Sequence, residues 1–248
     1  MKTKPLTKDN RSVRLIFHSP LVLYTLIFTA FFLAVISFCT QAYLLVSGSA
    51  NQTLHKINRI ISIDGENTIP AYFSTCLLLA AAALLGLIFL AKRKLSLPYQ
   101  RYWLGLAIIF LYLSLDECIG LHEIFIGIIQ RLFNRNTGVF VLAWVIPFGI
   151  LVLLFAMVYL RFLWHLPVKS RYLFVISGII YISGTLGMEI IGGYYMQNNG
   201  WNLTLHFLLT VEETLEMIGA ITFIATLLDY IHHEFPGLNI AFKAPCME

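Results

Sequence analysis

The sequence predicts an all-α fold, a polytopic membrane bundle of about six transmembrane helices with cytoplasmic N- and C-termini. Three observations predict it. The chain of 248 residues is 58% apolar and only 12% charged. Its apolar residues fall in several nearly uninterrupted runs of about twenty, the length that crosses a hydrocarbon core of roughly 30 Å. Its Lys and Arg residues gather between alternate pairs of those runs. Such a composition excludes an ordinary soluble domain. The formal net charge of +4 then reports membrane topology, and no nucleic-acid partner is expected.

The spans lie at about 21–46, 70–91, 102–130, 139–161, 172–196 and 204–230, flanked by an N-terminal tail over 1–20 and a C-terminal tail over 231–248. The first run is too long for the apolar core of a signal peptide and is read as a retained helix. With the N-terminus inside, thirteen of the seventeen basic residues are cytoplasmic, leaving Lys56, Arg59, Arg131 and Arg135 outside; this fixes the orientation by the positive-inside rule. In the first outer loop, Leu54, Ile57, Ile60 and Ile61 recur at helical spacing beside Lys56 and Arg59, which predicts a short interfacial helix. Pro70 suits the first turn of the second span. The cysteines at 39, 76, 118 and 246 have no ligand spacing and read as packing residues.

Acidic residues inside the spans carry the functional signal. The third span reads Ser114-Leu-Asp116-Glu117, followed by His122-Glu123; the fifth carries Glu189; the sixth carries His206, Glu212, Glu213 and Glu216. Counted from the outer ends, the acids lie roughly 10 to 20 Å deep at about 1.5 Å per residue, with Asp116 and Glu117 near the midplane. Asp116 and Glu123 are seven residues apart and share a helix face, as do His206 and Glu213, with Glu216 about 60° further round and Glu212 to the side of that stripe. Small residues around Glu189, including Gly184 and Gly187, let the fifth span approach a neighbour closely.

No Lys or Arg is expected at this depth. An ionised carboxylate at the centre of a membrane helix costs on the order of 3 kcal/mol on insertion scales, so protons, metal cations or a cationic ligand must neutralise the group. Carboxylates with one or two imidazoles suit iron, manganese or zinc. The expected metal ligands are Asp116, Glu117, His122, Glu123, Glu189, His206, Glu212, Glu213 and Glu216, holding one or two divalent ions. Glu66, at the outer entrance of span two, and Tyr112, one turn before Asp116, form a second tier. Asp64 reads as a solvated loop acid. The histidines at 18, 55, 165, 232 and 233 read as interfacial.

The strings Glu66-Asn-Thr-Ile-Pro70, Ser114-Leu-Asp116-Glu117 with His122-Glu123, and Glu212-Glu213-x-x-Glu216-Met-x-Gly219 resemble a group of uncharacterised bacterial multipass inner-membrane proteins. The resemblance covers roughly residues 60 to 230. It implies a place in the bacterial inner membrane and raises Glu66 among the candidates. The first expectation is therefore a metal-binding membrane protein, with a lipid or quinone as the substrate if it is an enzyme. A proton-coupled or divalent-cation transporter is the second, and a structural or sensory subunit with protonated carboxyl groups the third.

Overall fold

The computed structural model of the protein describes residues 20–48, 51–121 and 145–235. Within them the chain is helical. The helices are α1 (Pro20–Ser47), α2 (Gln52–Ile61), α3 (Ile69–Lys94), α4 (Gln100–Ile119), α5 (Val145–His165), α6 (Val168–Ile182), α7 (Glu189–Asn199) and α8 (Leu203–Glu234). A π-helical turn, Ser183–Met188, joins α6 to α7 without a break, so the two form one span from Val168 to Asn199. Among the described residues, six spans are long and apolar enough to cross a membrane, and the protein is an integral membrane helical bundle.

Local chemistry sets the helix ends. Asn51 caps α2 by accepting from the backbone N–H groups of Thr53 and Leu54, and Thr68 caps α3 by accepting from Ala71 N–H. Lys92, Arg93 and Lys94 fill the last turn of α3, where positive charge complements the helix dipole. Asn202 starts α8 by accepting from Leu205 N–H at 3.0 Å. Hydroxyls within the spans turn back onto their own helix: Thr25, Thr40, Thr210, Thr214, Thr222 and Thr226 each donate to the carbonyl four residues earlier. In a hydrocarbon medium that satisfies a donor which water cannot reach.

α4 ends at Ile119, where Gly120 adopts a left-handed backbone (φ +60°) and its N–H closes onto Asp116 O at 2.7 Å. Asp116 and Glu117 consequently sit in the last turn of α4. The expected continuation of span three, including His122 and Glu123, and the expected start of span four lie outside the described residues.

The long final helix organises the bundle. α8 packs against α1, α3, α6, the π-helical turn and α7, while α3 and α4 form an extensive antiparallel hairpin. α5 is peripheral. It meets the bundle through side chains at one end, where Tyr159 Oη donates to Tyr102 O at 3.2 Å and Phe162 lies edge-on to Trp103 at 5.2 Å. Trp103, fully buried, also meets Phe174 and Tyr230, and Phe223 stacks on Phe110 at 4.5 Å. Lys92, 5% exposed, places its ammonium over the Tyr230 and Phe235 rings. This aromatic layer closes the end that carries Lys92, Arg93, Lys94 and Arg101. The candidate acids lie toward the opposite end.

Candidate functional site

Two polar centres occupy the acidic end, one at its mouth and one deeper. At the mouth, α1 and α2 bring Gln41 and Asn58 together, and Asn58 Nδ2 donates to Gln41 Oε1 at 2.6 Å. The Gln41 amide nitrogen lies 3.0 Å from His206 Nε2 on α8. On the other side of the ring, His206 Nδ1 stands 3.6 Å from Asp64 Oδ2, and Asp64 is itself hydrogen-bonded by Ser62. Ser37 Oγ accepts from Ile63 N–H at 2.8 Å, pinning the loop that carries Asp64 onto α1. Gln41, His206, Asp64, Ser62, Ser37 and Ile63 line a small cleft with Phe38 and Thr210.

Asp64 is an exposed loop residue whose side chain is nevertheless tied to Ser62 and His206. Only 19% of its side chain is exposed, and only 11% of that of His206. His206 meets the loop and α1 at the mouth, and Glu213, seven residues further along α8, lies deeper but within electrostatic reach of Asp64.

The deeper centre gathers carboxyl groups from three elements. Glu212, 8% exposed, is the most buried of them, and its carboxyl group hydrogen-bonds with that of Glu189 at the start of α7. Its Oε2 has no hydrogen-bond partner among the described residues. The helical wheel sets Glu212 aside, but α7 approaches from that side and makes it a member of the pair. Glu213 and Glu216 lie within electrostatic reach of Glu117, Glu212 and Glu189, and Glu213 also senses Asp64. Tyr181 of α6 stands among Glu216, Glu117, Glu213 and Asp116. It lines a second small cavity with Ser74, Leu78, Glu117, Glu216, Met217 and Ala220.

Close backbone packing makes this convergence possible. A Cβ on Gly184, in the π-helical turn, would stand 2.8 Å from Glu216 Cγ and 2.9 Å from Glu212 O. The π-helical turn inserts its wider backbone directly before Glu189, and such turns recur at functional sites. Glu66 reaches across from the loop before α3 so that its carboxylate covers Gly120, at the end of the helix bearing Asp116 and Glu117. Tyr112 is within electrostatic reach of Asp116, yet 38% exposed on the flank of the bundle.

Among the described residues, no basic side chain pairs with Glu189, Glu212, Glu213 or Glu216; ion pairs form elsewhere, between Lys169 and Asp229, His233 and Asp229, and His206 and Asp64. No three His, Cys, Asp or Glu side chains among the described residues converge as a formed metal site. Two carboxyl groups in contact must share a proton or a cation. Sequence reasoning did not select Gln41, Asn58, Ser62 or Tyr181. For Gln41 a signal exists, because it is the only amide side chain in α1 and an amide within a span needs a partner.

A family model described as "Domain of unknown function (DUF8692)" matches residues 23–231. No curated protein and no solved structure matches the chain.

Proposed function

We propose, for a chain that belongs to the DUF8692 family, that it is a cation-binding membrane protein whose interior carboxyl groups take up a divalent metal ion in exchange for protons. The single observation that carries this reading is the Glu189–Glu212 pair: two carboxyl groups in contact, one of them with a buried oxygen that lacks a partner among the described residues. A hydrogen-bonded proton satisfies one oxygen of each group. A divalent cation satisfies more lone pairs at once, with Glu213 and Glu216 turning toward it from α8.

The same geometry favours a binding site over a transport path. Beyond Glu216, α8 continues through the buried apolar residues Met217, Ala220, Ile221, Ile224 and Leu227 to the aromatic layer. No acid interrupts that stretch before Asp229. Basic residues at the closed end support a cytoplasmic assignment for it, which puts the mouth on the outer side, the periplasm if the membrane is a bacterial inner membrane.

Metal content of the purified protein tests the proposal. Wild type is expected to hold a divalent ion that Glu212→Gln and Glu189→Gln each release or weaken. Sub-stoichiometric metal in wild type after loading with iron, manganese and zinc in turn would overturn it. Sustained, gradient-driven flux into proteoliposomes would instead favour a transporter.

A further inference from the structure

The mouth cleft is separate from the interior carboxyl pair and has a coordination pattern of its own. At 3.6 Å, His206 Nδ1 and Asp64 Oδ2 are too far apart for a normal hydrogen bond. They are at a separation that one divalent ion spans with two ligand bonds of about 2.0–2.2 Å each. The other ring nitrogen is held by Gln41, and Gln41 is held by Asn58. Amide oxygen and nitrogen are interchangeable in position by a turn about the last side-chain bond. With both amides turned, Gln41 Oε1 accepts the Nε2 proton of His206, and Nδ1 presents a lone pair to the Asp64 carboxylate. Those two acceptors repel unless a cation lies between them.

Metal-binding histidines are oriented in this manner, with one ring nitrogen anchored by a polar side chain and the other left for the ion. Asp64 is anchored likewise by Ser62. Both side chains are largely buried yet not sealed, so an ion can enter from the mouth and keep water in its remaining positions.

The geometry points to a second cation site, with Asp64 and His206 as ligands and Gln41 and Asn58 as positioning residues, that receives a divalent transition-metal ion before it reaches the interior carboxyls. Asp64 is within electrostatic reach of Glu213, which links the two centres. The inference rests on the cation-binding reading, but the two fail separately.

The test is a Co2+ titration of the full chain in nanodiscs, with stoichiometry from calorimetry and the ligand field from visible absorption. Wild type is expected to bind two ions. His206→Gln and Asp64→Asn should lose the same ion, and Gln41→Leu, which removes no ligand, should weaken that ion about 10- to 100-fold. Two ions of unchanged affinity in His206→Gln would overturn the mouth site, and so would an unchanged affinity in a folded Gln41→Leu protein. One ion in wild type, lost in His206→Gln and kept in Glu212→Gln, would support the mouth site and overturn the interior one. No bound Co2+ overturns both.

Discussion

A Cβ placed on Gly219 would stand 2.7 Å from the backbone nitrogen of Tyr181 and 2.8 Å from its Cα, so α8 and α6 meet backbone to backbone at that level. The contact holds Tyr181 against Glu216 and sets the width of the interior centre. Gly219→Ala must push the helices apart. Overpacking of this kind costs about 1–3 kcal/mol, more than alanine's helix-propensity advantage of up to about 1 kcal/mol. Thermal unfolding in detergent should show a lowered midpoint; an unchanged or raised midpoint would mean that the backbones are not in contact.

The Glu189–Glu212 pair predicts non-additivity. Glu212→Gln keeps a hydrogen-bonding partner for Glu189, whereas Glu212→Leu leaves Glu189 without one, at a cost of about 1–3 kcal/mol. A double-mutant cycle with Glu189→Gln should give a coupling of about 0.5 kcal/mol or more. Additive effects would show that the carboxyl groups act independently.

At Gly120, backbone and side-chain effects can be separated. Its left-handed conformation costs a residue with a Cβ about 1–2 kcal/mol, and the Glu66 carboxylate occupies the space a Cβ needs. Gly120→Ala should therefore destabilise the protein and displace Glu66. Gly120→Asn recovers part of the backbone cost, since Asn tolerates this conformation, but still displaces Glu66. Equal stability of the two variants would refute the backbone component.

The closed end should be the more demanding of the two. Trp103→Ala removes a fully buried ring that touches Phe162, Phe174 and Tyr230 and should cost about 3–5 kcal/mol. Tyr159→Phe deletes only the hydrogen bond to Tyr102 O and should cost about 1 kcal/mol. Comparable losses in chemical denaturation would contradict the assignment of Trp103 as the centre of the layer.

The spans were readable because hydrocarbon thickness imposes a length on any apolar run, and α2 because Leu54, Ile57, Ile60 and Ile61 repeat with the helical period. Thr68, Asn51 and Asn202 caps follow from local hydrogen bonding. The pairing of Glu212 with Glu189 was not readable. A wheel gives the relative angle of residues on one helix, while the pair depends on how α7 is turned against α8 after the π-helical turn, and no periodicity announces that turn. The partners of Asp64 were hidden for a similar reason: its neighbours in sequence are loop residues, but it meets His206, far along the chain, and Ser62, in a loop that Ser37 of α1 pins.

The aromatic layer has an electrical consequence. A charge carried through a whole membrane exchanges about 2.3 kcal/mol with each 100 mV of potential. On the cation-binding reading, an ion that enters past Asp64 and halts at Glu216 would traverse only the part of the field between those levels, because buried apolar residues from Met217 to Leu227, and beyond them the layer of Trp103 and Tyr230, fill the bundle past Glu216. Occupancy then responds to voltage by a fraction of that energy. A voltage step should draw one brief, self-limiting displacement current, with no steady current after it.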